Sequence, residues 1–65
     1  MKINVAKIER ERERLQINKT KFASMVGITK QAYSDFLRSG STTLPRLTRM
    51  ATALGFDGKD FLTDV

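Results

Sequence analysis

The sequence predicts an all-α fold made of five short helices. Apolar residues recur at spacings of three and four, which is the period of an amphipathic helix, and no segment alternates as a strand does. Three of the periodic runs are followed by Gly27, Gly40 and Gly55, and glycine often ends a helix because it adopts positive φ without steric cost. Four of the runs are preceded by residues that commonly cap helix N-termini, namely Asn4, Asn18, Thr29 and Thr43.

The length and composition of the chain exclude several classes of protein. With 65 residues it forms one predicted domain, 1–65, too small to enclose a deep substrate cavity. It has no Cys and no His, which removes disulfides, the usual zinc ligands and the commonest general base. It also lacks a secretion signal and any apolar run of roughly 18 residues. We therefore expect a cytoplasmic protein with no catalytic activity, metal, cofactor or membrane partner.

The formal net charge is +5, from 12 Lys and Arg against 7 Asp and Glu. Such an excess of cations favours a polyanionic partner, because Lys and Arg release condensed counterions when they neutralise phosphates. The positions of the cations along the chain carry more information than their number.

The first helix is predicted over residues 4–16. Val5, Ile8 and Leu15 lie on one face of it, and Arg12 falls on the same apolar stripe, where a charge requires a partner. The other charged residues alternate in sign, which is typical of a solvated and self-compensated face. Oppositely charged residues three apart can pair, for example Glu9 with Arg12 and Glu11 with Arg14.

A helix, a tight turn and a further helix are predicted over residues 19–38. One apolar stripe runs from Phe22 to Val26 and another from Tyr33 to Leu37, while Gly27 turns the chain between them. This arrangement is a helix-turn-helix, whose second helix can lie in the major groove of DNA. The outward side chains of that helix offer donors, acceptors and a methyl group, as needed to distinguish base edges, and they are Thr29, Lys30, Gln31, Ser34 and Asp35.

Two lysines, Lys19 and Lys21, stand in the first turn of the second helix, just after its predicted cap Asn18. Cations at this end of a helix oppose the helix macrodipole. Their placement makes sense if a phosphate binds at the helix end, and it is equally consistent with solvated lysines that keep the protein soluble.

The fourth helix is predicted to begin after Thr43, with Pro45 in its first turn, where proline costs no backbone hydrogen bond. An apolar stripe with spacings of three, one and three runs from Leu47 to Leu54. A short fifth helix is predicted to start at Asp57, with Asp60 as its capping-box partner.

A set of residues and short motifs follows one another along the chain in a characteristic order and spacing. The set is Arg12, Ile17-Asn18, Phe22-Ala23, Val26-Gly27-Ile28-Thr29, Tyr33, Phe36, Leu47, Met50-Ala51 and Leu54-Gly55-Phe56. Together they resemble the lambda-repressor-like family of DNA-binding domains, the Cro and XRE type of phage and bacterial regulators. The resemblance covers residues 5–62, which is almost the whole chain.

The resemblance implies that five outward residues of the third helix meet bases, and they are Thr29, Lys30, Gln31, Ser34 and Asp35. Their chemistry agrees with this role. Lys30 can donate to guanine and Gln31 can pair with adenine, while Asp35 can accept from cytosine and the Thr29 methyl can touch thymine. The resemblance also implies phosphate contacts on both sides of that helix, by Asn18, Lys19, Arg38, Ser41, Thr42, Thr43 and Arg46.

The chain departs from the family pattern at two places. Many relatives carry a Glu where this chain has Leu37, and that Glu pairs with the arginine matched here by Arg12. Arg12 must therefore find another acid, reach solvent or bind a phosphate. The glycine after the third helix is Gly40, whereas the usual position is that of Ser39, so the loop that follows is displaced by one residue.

The leading hypothesis is a sequence-specific DNA-binding transcriptional regulator, a phage or bacterial repressor acting at the nucleoid. One unit covers a half-site, so a homodimer on a pseudo-palindromic operator is expected, with candidate contacts from Phe56, Phe61, Leu62 and Val65. Of these, Phe61 fits the core better than the dimer interface. The alternative is a protein-interaction module or an antitoxin-type partner-binding domain. The sequence leaves open a repressor, a Cro-like competitor, a restriction controller and an antitoxin. An enzyme is disfavoured, because no nucleophile stands beside a base and no glycine-rich phosphate loop or metal-ligand spacing appears.

Overall fold

The computed structural model describes residues 2–63, in which four α-helices surround one apolar core. A 3-10 turn at Gly58–Phe61 follows the last α-helix, and the short strands β1 (Lys2–Ile3) and β2 (Leu62–Thr63) pair at the ends of the chain. The α-helices are α1 (Val5–Arg14), α2 (Lys19–Val26), α3 (Lys30–Ser39) and α4 (Leu44–Leu54). The longest of them has 11 residues, so no helix in this part of the chain can cross a membrane.

The four predicted N-caps are confirmed. In each case the side-chain oxygen accepts a hydrogen bond from the backbone N–H three residues further on, which satisfies one of the free amides of the helix. The donor–acceptor distances are 3.0 Å at Asn4, 2.7 Å at Asn18, 3.0 Å at Thr29 and 3.4 Å at Thr43. The start of every α-helix is thus determined by a residue within its own segment.

The predicted fifth short helix is not confirmed as an α-helix, although its predicted N-cap, Asp57, does precede a helical turn. The chain after α4 forms only a four-residue 3-10 turn, although Asp60 does accept a hydrogen bond from the backbone N–H of Asp57, at 3.0 Å. The reason is that strand pairing begins at once, with Leu62 opposite Ile3 in an antiparallel register. Only six residues separate the Gly55 cap from β2, which is too few for a stable α-helix with its caps. The all-α prediction is therefore incomplete, because β1 and β2 form a two-stranded antiparallel sheet.

The core is formed by one face of each helix, as the spacing predicted. Tyr33 lies at its centre, with its ring edge-on to Phe22 at a centroid distance of 5.3 Å and tilted against Phe36 at 6.1 Å. Leu15 is an exception, because it caps the C-terminus of α1 instead of continuing it and is 40% exposed. The buried apolar residues are Ile8, Phe22, Ala23, Val26, Tyr33, Phe36, Leu47, Met50, Ala51, Leu54 and Phe61.

Arg12 is buried among these residues, and its partner is an acid one turn earlier on the same helix. Its Nε donates to Oε2 of Glu9 at 2.6 Å, and its Nη1 donates to the carbonyl oxygen of Ile17, also at 2.6 Å. Burial by itself lowers the pKa of Arg12, but the hydrogen bond and the charge of Glu9 outweigh that effect and raise it. Of the three outcomes expected for Arg12, pairing with another acid is the one observed, and that acid is Glu9. The predicted pair of Glu11 with Arg14 also forms, at 2.6 Å on the surface.

The hydroxyl of Tyr33 is buried without a hydrogen-bond partner among the described residues. Burial raises the pKa of Tyr33 to about 12, and the charge of Glu9 adds to this rise while that of Arg12 opposes it. The ring packs against Phe22 and Phe36, and the charges of Glu9 and Arg12 lie close enough to act on the hydroxyl.

Replacing Arg12 by Ala should lower the free energy of unfolding by about 3 kcal/mol, the lower end of the cost of breaking a buried ion pair, because Glu9 keeps some contact with solvent. The matched control is Arg14→Ala, which removes an exposed pair of the same spacing and should cost less than about 1 kcal/mol. Urea denaturation of both variants measures the difference. Equal losses would show that the burial of Arg12 adds nothing.

The Tyr33 hydroxyl should make the protein sensitive to alkali. Because the pKa of about 12 in the folded chain exceeds the ordinary value near 10, the unfolded chain loses this proton first as the pH rises. Stability is therefore full below about pH 10 and falls between about pH 10 and 12, by roughly 2 kcal/mol from this group. Tyr33→Phe should lose less stability than the wild type over that window. Parallel urea denaturation curves for the two proteins at pH 9 and pH 11.5 test this.

Candidate nucleic-acid interface

Two backbone acceptors at the end of α2 hold the turn between α2 and α3. The carbonyl oxygen of Ser24 accepts from the N–H of Gly27 at 3.1 Å. The carbonyl oxygen of Ala23 accepts from the N–H of Gly27 and from the N–H of Ile28, both at 2.9 Å. Gly27 has φ of +85°, which allows the chain to reverse within one residue. Thr29 then starts α3, and the burial of Tyr33 and Phe36 determines which side of α3 faces outward.

The face of α3 opposite the core is polar, as the sequence predicted. Lys30, Gln31 and Asp35 are exposed, and Ser34 is half-buried beside them. Thr29 is exposed too, but its hydroxyl oxygen already accepts from the backbone N–H of Ala32. Its methyl group and hydroxyl proton remain available for a ligand.

Three side chains of this outer face bond to one another. Oδ1 of Asp35 accepts from Nε2 of Gln31 at 3.0 Å and from Nη2 of Arg38 at 2.5 Å. These residues stand four and three apart, so they lie along one side of α3. Arg38 was predicted from the sequence as a phosphate contact. Its guanidinium contacts Asp35 on the outer face of α3.

The start of α2 carries two of the other predicted phosphate contacts. The side-chain oxygen of Asn18 accepts from the backbone N–H of Lys21, while its amide group stays free to donate. Lys19 is exposed, as is Lys21 two residues later. Cations and helix amides together form the kind of end at which an anion binds.

On the other side of α3, the remaining predicted contacts line a shallow groove. Ser41, Thr42 and Thr43 come from the α3–α4 loop, and Arg46 comes from the first turn of α4. Asp35 lines the same groove from the α3 side. The displaced Gly40 has φ of +72° and ends α3 after Ser39, so α3 is one residue longer than its predicted end at Arg38. The structure thus brings together the loop and Arg46 but places Asn18 and Lys19 at a separate helix end.

The net positive charge of the chain comes from the region that contains this candidate interface. Residues 19–55 contain six Lys and Arg against a single acid, Asp35, which accounts for the whole net charge of +5, because the charges of the two flanking segments cancel. Two of the six, Arg46 and Arg49, stand three apart on α4. The guanidinium of Arg49 lies beside the helix-turn-helix turn, where a Cβ added to Gly27 would be 3.5 Å from Nη1. Arg49 was missed by the sequence analysis, although its spacing from Arg46 could have indicated it.

The fold and this outer face define a helix-turn-helix domain. A family model described as "Helix-turn-helix" matches residues 8–61, which begin and end at the buried core residues Ile8 and Phe61. The chain belongs to the lambda-repressor-like, Cro/XRE-type helix-turn-helix family, a class of DNA-binding regulators that is generally non-enzymatic. No curated protein and no solved structure matches the chain.

Lys19→Ala should weaken binding to all duplexes alike, because the start of α2 would contact phosphates and not bases. The slope of log K against log salt should become shallower by about one unit. The matched control is Lys59→Ala, which removes an exposed lysine outside α2–α4 and should leave the slope unchanged. Fluorescence anisotropy at several salt concentrations measures both. A Lys19→Ala slope equal to that of the control would contradict the placement of a phosphate there.

Proposed function

We propose that this protein is a sequence-specific transcriptional repressor that inserts α3 into the major groove of its operator. The observation that supports this most directly is the polar outer face of α3, exposed and flanked by cations of α2 and α4 in a region with only one acid. A surface that merely bound phosphates would need the cations but not a varied set of donors and acceptors. Those groups correspond to the edges that bases present in the major groove.

In this proposal the predicted site residues divide into two sets. Phosphates are contacted at the start of α2 and along the α3–α4 groove, which fixes the register of the protein on the duplex. Bases are read by the outer face of α3, where Lys30 suits guanine and Gln31 suits adenine. Repression follows if the bound protein occupies DNA that the polymerase requires.

A homodimer on a pseudo-palindrome is the geometry that fits the size of the fold. Its longest dimension is 29 Å, shorter than the roughly 34 Å of one turn of DNA, so a single unit covers a half-site. Phe61 is fully buried in the core and is removed from the predicted dimer contacts, while Phe56 and Leu62 are half-buried and keep some accessible surface. Val65, the fourth predicted contact, lies outside the described residues. Such a repressor would act at the nucleoid, in the cytoplasm of a bacterial or phage-infected cell.

Selection from a random duplex library should enrich one motif with two inverted half-sites. Gln31→Ala should then lower affinity for the enriched site by about tenfold or more, because a lost bidentate base contact costs roughly 1–3 kcal/mol of discrimination. Its affinity for an unrelated duplex should stay the same, and Lys59→Ala should behave as the wild type on both. Equal weakening on every duplex would show that Gln31 reads no base.

The same experiment separates the repressor from a protein-interaction module on this fold. A module of that kind enriches no motif, and its weak binding to duplex DNA shows no steep salt dependence.

A further inference from the structure

Asp35 is an unexpected residue at the centre of a surface that faces DNA. It is the single acid in residues 19–55, and it stands on the exposed outer face of α3. A carboxylate there repels the phosphates on both sides of the groove, so its presence requires a compensating contact. The sequence suggested that this contact is cytosine. The structure shows two others, both within α3.

The contact with Gln31 determines which way the amide of Gln31 points. An ionised carboxylate can only accept hydrogen bonds, so Gln31 must present its Nε2 hydrogens to Asp35. Of the two Nε2 hydrogens, one is then used within α3 and the other remains for a ligand. The amide oxygen of Gln31 is unused by any bond in the described residues and is free to accept.

One remaining donor and one free acceptor form a pattern that distinguishes the purines. Adenine offers an acceptor at N7 and a donor at N6, which complements this amide. Guanine offers acceptors at both N7 and O6, so its O6 would meet the amide oxygen of Gln31 without a proton between them. If Asp35 were absent, both Nε2 hydrogens of Gln31 would be free and guanine would be accepted more easily.

We propose that Asp35 is a positioning residue that holds the Gln31 amide in the orientation that selects adenine over guanine in each half-site. Arg38 supports this arrangement, because it donates to the same Oδ1 of Asp35 and neutralises the carboxylate on a surface close to phosphates. The inference rests on the proposed function, since it names the base that the outer face of α3 prefers. It also replaces the direct reading of cytosine that the sequence suggested for Asp35.

The test compares four proteins, namely the wild type, Gln31→Ala, Asp35→Ala and the double variant, on operator duplexes changed one base pair at a time. Asp35→Ala should relax the same base pair as Gln31→Ala, with the preference for adenine over guanine falling about tenfold. The double variant should show no further loss at that pair, as expected when one residue acts through the other. Because Asp35→Ala removes a negative charge, it should also raise affinity for every duplex by the same factor. A uniform gain of this kind does not contribute to the predicted change in base preference.

A conservative variant distinguishes positioning from mere structural support. Asp35→Glu keeps an acceptor-only carboxylate four residues from Gln31 and should restore a large part of the adenine preference. Asp35 is exposed, so the thermal unfolding midpoints of all these variants should stay close to that of the wild type. Relaxation at a different base pair in Asp35→Ala would show that Asp35 reads a base itself. An unchanged preference at every pair would equally overturn the proposal.

A measurement without DNA keeps this proposal separate from the proposed function. In the wild type, the Nε2 hydrogen of Gln31 that is bonded to Asp35 should resonate downfield of its position in Asp35→Ala and should exchange more slowly with solvent. The downfield shift should persist in Asp35→Glu. If the amide is held in this way but the wild type enriches no motif, the repressor function fails and the internal contact stands. If the resonances are alike in the wild type and Asp35→Ala, the positioning role fails whatever the DNA result.

Discussion

The aromatic packing of Tyr33 against Phe22 and Phe36 is the constraint on which the outer face of this domain depends. A short helix has no intrinsic reason to present one side to solvent, and the rotation of α3 about its axis is set by the side chains it buries. Because Tyr33 and Phe36 occupy the core, the polar residues on the opposite side are turned outward together.

A second constraint acts at the end of α1. Arg12 joins Glu9 on its own helix to the carbonyl oxygen of Ile17 in the loop, so a single guanidinium ties the last turn of α1 to the residue before the Asn18 cap. Buried ion pairs contribute little to net stability compared with apolar residues, but they specify geometry. The geometry specified here is the position at which α2 begins, and therefore where Lys19 is presented. The acid that pairs with Arg12 thus comes from α1 itself, and Leu37 packs against the core.

The net positive charge of the chain lies in the region from α2 to α4, which contains the candidate interface. The alternating charges of α1 compensate one another through pairs such as Glu11 with Arg14, and the acids near the C-terminus offset the remaining excess. The region from α2 to α4 keeps its cations unopposed except at Asp35. That one acid accepts hydrogen bonds from Gln31 and Arg38 within α3, which offsets the electrostatic cost of a carboxylate on this exposed face.

The amino-acid sequence by itself determined the four α-helices, their N-caps and the outward set on α3. Each of these features depends on residues within three or four positions of one another, so local spacing carries the information. The tertiary structure alone decided the pairing of the two chain ends, which replaced a fifth α-helix by a 3-10 turn, because β1 and β2 are about sixty residues apart in sequence and no local pattern encodes their contact. It also decided that Arg12 is buried. Spacing shows which side chains can meet, whereas side-chain rotamers and the packing of neighbouring helices determine which of them do.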